Sequence, residues 1–195
     1  MATDDQKPVE YVRRLYDDVR GWYQNADTKA QVVLTIDGAF LAFLTGAIFV
    51  KPADLKLIVG AFSWWTWLFL TLMAWCLLAS VMSAIHCLWS RIYSQKKLQE
   101  FIDSAQSTSG KSVQYSPKTL WFFQMVANLE EDRFRATLEA VDSAFEISAM
   151  ASQIQILSGN VRTKHRAVNV GFVLAATTLI FFFFAGLSYM MRNAI

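Results

Sequence analysis

The chain contains few of the residue patterns from which catalysis is ordinarily read. No HExxH, CxxC or GxSxG pattern occurs in its 195 residues. His86 and His165 have no Cys or His partner at a ligand spacing. Zinc, thiol-redox and serine-hydrolase chemistry therefore lack the side chains they need, and neither a metal nor a cofactor is expected. Cysteine is limited to Cys76 and Cys87, both in one apolar run. They would lie about 16 Å apart on a helix rising 1.5 Å per residue, so they cannot bridge each other. The net charge is only +2, and the basic residues sit beside apolar runs rather than in a patch, which argues against a nucleic-acid partner. The opening MATDDQKPVEYVRRLYDD lacks the basic start, apolar core and cleavage site of a secretory signal, so the amino terminus is expected to stay in the cytoplasm. A chain of this length has no room for spans plus an enzymatic domain of ordinary size, and it is not expected to be an enzyme.

What it does have is apolar residues, 54% of the total, gathered into runs rather than spread over amphipathic faces. This is the composition of an all-α integral membrane protein. The segment from Val9 to Val50 contains no proline. Along it, Val9, Val12, Tyr16, Val19, Tyr23, Ala26, Ala30 and Val33 recur at the alternating three and four spacing of a coiled-coil seam, which then lands on Asp37. A charge at mid-bilayer costs at least about 2.5–3.5 kcal/mol, so Asp37 is expected to face the protein interior. Residues 1–29 read as a cytosolic amphipathic helix, 30–50 as the first transmembrane helix, 61–90 as the second and 167–189 as the third, with 91–166 a cytosolic helical segment. The three spans are thus continuous with a cytosolic helical bundle. Trp64, Trp65 and Trp67 at one end of the second span, and Trp89 and Tyr93 at the other, mark its two interfaces.

Within 91–166, Ser104 to Pro117 reads as a polar loop. Its AQSTSGKS run fits the loose phosphate-loop pattern, but no strand precedes it and no helix opens on the lysine, so it is taken as a chance match. Leu120 to Val126 is apolar but too short to span, Asn128 interrupts it, and Glu130, Glu131 and Asp132 suit the first turn of a following helix. That helix has no proline through Met191 and is expected to run unbroken, with a lower stripe at Phe134, Leu138, Val141 and Phe145 and an upper one at Ile147, Met150, Ile154, Leu157 and Val161. Basic residues flank 1–29 and 91–166 more heavily than the first loop or the carboxyl end. This places the amino terminus and central segment inside and the carboxyl terminus outside the membrane.

The polar groups that matter lie where spans meet the cytosol. One account is a structural clasp, Asp27 with Lys164 or Arg162. The other is an anion site, with basic groups taking a phosphate and an aromatic stacking on a base; its candidate ligand-binding residues are Asp27, Lys29, Trp121, Asn160, Arg162 and Lys164. Within the membrane, Asp37 is expected to bond to a Ser or Thr of a neighbouring span, or else to line a pore or respond to protons. His86 is expected to be a neutral histidine bonded to a neighbouring helix first and a titrating switch second. Gly38, Ala42 and Gly46 form a small-residue ridge that suits intrachain packing first and self-association second.

Ala26-Asp27-Thr28-Lys29-Ala30-Gln31 with Val33, Leu34 and Gly38 resembles the approach to the first span in the transmembrane effectors of the bacterial Pycsar anti-phage system. Leu120 to Leu129 with Phe134, and Gln153-Ile154, Leu157-Ser158 and Lys164, resemble two further blocks of that family. The resemblance implies a membrane effector activated by a cyclic pyrimidine mononucleotide, cCMP or cUMP, made by a companion cyclase, that impairs inner-membrane integrity as a homo-oligomer in the lipid bilayer. The alternatives on the residues alone are a non-sensing oligomeric scaffold and a small ion channel.

Overall fold

The seam read from the sequence is the buried stripe of the first helix. The computed structural model describes residues 6–49, 58–89, 100, 115–120 and 123–193. Its first helix, α1, covers Gln6–Phe49, and along it Val9, Val19, Ala26, Ala30, Val33 and Asp37 are all buried. The remaining elements are α2 (Trp64–Leu88), a 3-10 turn at Pro117–Leu120, α3 (Phe123–Val126), α4 (Glu131–Glu139) and α5 (Ser143–Asn193). No strand occurs among the described residues. Three helices, α1, α2 and α5, are long and apolar enough to cross a membrane. Both α1, with 44 residues, and α5, with 51, exceed the roughly 20 residues that a span requires.

The chain divides into two compact units, Met1–Tyr23 with Ser90–Val161, and Gln24–Trp89 with Arg162–Ile195, to both of which α1 and α5 contribute. In the first unit, Tyr115 is the organising side chain. It is buried, its N–H donates to Thr137 Oγ1 at 2.9 Å, its hydroxyl accepts from the Glu130 N–H at 3.1 Å, and the Arg133 guanidinium stands 4.4 Å from its ring centroid. Such a stacked cation contributes about 0.5–1 kcal/mol at an accessible site. Asn128 does interrupt the preceding segment, its side chain donating to Gln124 O, and Glu131 and Asp132 occupy the first turn of α4.

The long helix expected from Glu130 onward is two helices. Its break lies at Ala140–Asp142, where the Ala140 N–H turns back to Thr137 O and Leu138 O and Asp142 Oδ1 accepts from the Phe145 N–H at 2.7 Å. That carboxylate caps the first turn of α5, and a cap of this kind contributes about 1 kcal/mol. The expected lower stripe does not form: in α4 the buried position is Thr137 rather than Leu138, Val141 falls in the break, and both Leu138 and Val141 are exposed.

The second unit is built by α1, α2 and α5, with α1 parallel to α5 and α2 antiparallel to both. Its core is a cluster of small side chains, Ala26, Ala30, Val33, Ala84, Cys87 and Val168. Lipid tails are as apolar as these groups, so helices associate here through close packing and hydrogen bonds rather than through the hydrophobic effect. Ser83 Oγ donates to Ala167 O at 2.7 Å, and Ser80 Oγ lies 3.0 Å from Gly171 O. A Cβ on Gly171 would stand 3.5 Å from Val33 Cγ1 and 3.7 Å from Ser80 O, which is ordinary van der Waals contact. Outward, Phe43, Trp75, Val173 and Phe183 are exposed, as expected of faces turned to lipid.

Candidate functional site

The buried stripe of α1 carries one carboxyl group, Asp37, and has another, Asp27, at its margin, each meeting a different kind of partner. Asp27 follows buried Ala26 and precedes buried Ala30, so its side chain is held at the margin of the small-residue core. Across from it α5 presents Lys164, whose Nζ lies 2.5 Å from Asp27 Oδ1. The side chains are 29% exposed for Asp27 and 12% for Lys164. At that depth water still screens the pair in part, so its contribution lies between the small value of a surface ion pair and the larger cost of breaking a buried one. Beside the pair α2 contributes Cys87, whose thiol donates at 3.7 Å to the carbonyl of Ala26, the residue before Asp27. The pair therefore closes one end of the three-helix core.

Asp37 lies farther along the stripe and is 2% exposed. Ser80 Oγ is 2.7 Å from its Oδ2, which is the hydroxyl partner from a neighbouring span that the sequence leads one to expect. The same hydroxyl reaches Gly171 O, so a single side chain of α2 joins α1 to α5. A serine has one proton to donate, and these two acceptors share it.

The other sequence candidates do not converge on this pair. Lys29 and Arg162 are exposed; each stands two residues from a member of the pair, which turns it about 200° around its helix. Asn160 is half-buried in the first unit. Trp121 and the AQSTSGKS run lie outside the described residues. His86 is on the exposed side of α2, with no hydrogen bond to a neighbouring helix among the described residues, because the inward positions are taken by Ala84 and Cys87. The ridge is likewise turned outward: Gly38, Ala42 and Gly46 are exposed, and a Cβ on either glycine would meet nothing within 4 Å. Intrachain packing does not use it.

A different polar cluster escaped the sequence reading. At the far end of α2 and α5, the Ser63, Thr66 and Ser188 hydroxyls lie within 2.9–3.1 Å of one another. Single serines and threonines in apolar runs give no warning of such a meeting. Among the described residues no group of three His, Cys, Asp or Glu side chains is placed to hold a metal ion.

A family model described as the Pycsar effector protein domain matches residues 11–191. No curated protein and no solved structure matches.

Proposed function

The chain belongs to the Pycsar effector family, a family of anti-phage effectors, and from that premise we propose that it senses a cyclic pyrimidine mononucleotide, cCMP or cUMP, and responds by impairing the inner membrane. The cyclase that makes the ligand is a companion protein, the first unit and amino terminus face the cytoplasm, and the carboxyl terminus faces out. No catalytic step is involved.

The observation that carries this reading is the Asp27–Lys164 pair. A cyclic phosphodiester bears one negative charge and competes with Asp27 for the Lys164 ammonium. When it succeeds, Asp27 loses its cation and the α1–α5 contact at that end of the core is weakened. A ligand shifts such an equilibrium only by its difference in affinity for the two arrangements. One hydrogen bond to a charged group supplies about 1.5–3 kcal/mol, whereas turning a population from 1:99 to 99:1 needs about 5.5 kcal/mol. Two to four copies switching together would supply the difference, roughly, at that contribution per copy. The outward Gly38, Ala42 and Gly46 ridge is suited to bring copies together.

Isothermal titration of the detergent-solubilised chain with cCMP, cUMP and cAMP tests the first half. Saturable binding of a pyrimidine nucleotide, lost in Lys164→Ala, is expected. Its absence for both pyrimidines in folded protein overturns the reading. Dye release from phosphatidylethanolamine and phosphatidylglycerol vesicles tests the second half: a ligand-dependent leak supports the effector, and equal release with and without nucleotide favours an oligomeric scaffold.

A further inference from the structure

At the end of the second unit remote from Asp27 and Lys164, residues at the start of α2 and the end of α5 line an open cleft of about 470 Å³. We propose that this cleft holds one anionic phospholipid, its phosphate on Arg192 and one acyl chain between the two helices.

The cleft is graded along its length. On α5, Phe184, Ser188 and Arg192 recur every fourth residue and all line it. Positions four apart share a helix face, so apolar ring, hydroxyl and cation follow one another over about 12 Å. On α2 the order is the same: Ser63 lines the outer end and Phe69 the inner. The inner wall is firm, with the Phe69 and Phe184 rings stacked at 5.7 Å and 29°. A phospholipid has the matching sequence of chain, ester and phosphate. The cleft also lies inside the tryptophan belt of Trp64, Trp65 and Trp67, all exposed, which sets its mouth at headgroup depth.

The polar end is built and is not self-neutralised. Ser63, Thr66 and Ser188 satisfy one another, and Ser63 Oγ also accepts from the Thr66 N–H at 3.2 Å. Arg192 is anchored by one bond, NH1 to Phe62 O at 2.6 Å. Its guanidinium carries five N–H donors, and none of the ion pairs among the described residues includes it. The anchored head thus keeps donors for a phosphate, and a guanidinium pairs with phosphate through two parallel bonds. A free phosphate would use only this end and leave the aromatic floor idle, so the amphiphile is the occupant that fits the whole cleft.

The test is native mass spectrometry of the full chain in dodecyl maltoside after delipidation, with 1-palmitoyl-2-oleoyl phosphatidylglycerol added back. One tightly held lipid per chain is expected. Phosphatidylcholine should bind at least several-fold more weakly, and glycerol 1-phosphate should not compete. Arg192→Gln should weaken retention about tenfold, the loss of one charge-assisted contact, while Arg192→Lys recovers part of it. Leu187→Trp, which fills the cleft from an exposed position, should abolish retention with Arg192 intact. Lipid uptake unchanged by both Arg192→Gln and Leu187→Trp, or adducts spread over several lipids with no preferred first one, overturns the proposal. Competition by glycerol 1-phosphate also overturns it, in favour of a simple anion site. Neither variant touches Lys164, so failure here leaves the nucleotide reading standing.

Discussion

Asp27 lies at the margin of the buried stripe of α1 and Asp37 within it, and one meets an ammonium while the other meets a hydroxyl. Asp27 is partly exposed and bound to Lys164; Asp37 is almost wholly buried and bound to Ser80. Depth explains the difference. Where water still reaches, a charge pair can exchange one counter-ion for another, because solvent stabilises the released group. Where it does not, a released polar group has nothing to turn to, and each loss costs the full desolvation penalty. The first site is suited to switching and the second to holding position.

Breaking the deep site should have the largest effect. Ser80→Ala removes the hydroxyl shared by Asp37 and Gly171 O and should cost about 3 kcal/mol, read as a lowered thermal midpoint by circular dichroism in detergent. Asp37→Asn keeps an acceptor for Ser80 and should lose much less; equal losses would mean that the hydroxyl bond is not what holds the site. At the shallow site Lys164→Met should cost about 1–2 kcal/mol, discounted because Asp27 remains partly solvated. Exchanging the two residues, Asp27→Lys with Lys164→Asp, should restore at least half of that loss, and no recovery would deny the coupling.

The thiols offer a reporter that leaves both sites intact. Cys76 lies at the middle of the apolar α2 and Cys87 is buried near its other end, so both thiols should react slowly with a water-soluble maleimide in the resting protein, given the dependence of thiol reaction on access and ionisation. If nucleotide opens the Asp27 end, Cys87 labelling should accelerate, since its Sγ lies against Ala26 O. The smallest effect belongs to Arg13→Gln. Arg13 meets Glu146 through two bonds of 2.6 and 3.0 Å, but it is largely exposed. Glu146 raises the Arg13 pKa, chiefly through the hydrogen bond and then through charge attraction. A raised basic pKa means that the guanidinium side of the pair stabilises below its ordinary pKa and is lost only above the raised one, far beyond physiological pH. Arg13→Gln should therefore leave the slope of midpoint against pH between 6 and 9 unaltered, and its small effect should vanish at about 0.5 M salt.

Much of the second unit is legible before folding because its constraints are periodic or costly. The spacing from Val9 to Val33, which runs through both units, selects one face; a carboxyl in an apolar run must turn inward to a hydroxyl, as Asp37 does, and groups of opposite charge at one level of two parallel helices, Asp27 with Lys164 or Arg162, are placed to pair. The rest depends on local chemistry that periodicity does not register. The α4–α5 break is set by one capping carboxylate, Asp142, inside a stretch with neither proline nor glycine. The ridge of Gly38, Ala42 and Gly46 has the right spacing for packing, but spacing alone cannot tell an inward ridge from an outward one. The hydroxyl cluster at Ser63, Thr66 and Ser188 arises from residues more than a hundred positions apart, and only the pairing of α2 with α5 brings them together.

Two serines of α2, Ser80 and Ser83, grip successive turns of α5 through Gly171 O and Ala167 O. A slide of even one residue, about 1.5 Å, would pull both hydroxyls off their carbonyls together. These two helices therefore travel as one plank, latched at two rungs, and neither can piston past the other. Whatever motion the second unit permits falls to α1, which can peel from the Asp27 end while Asp37 stays pinned like the fulcrum of a lever.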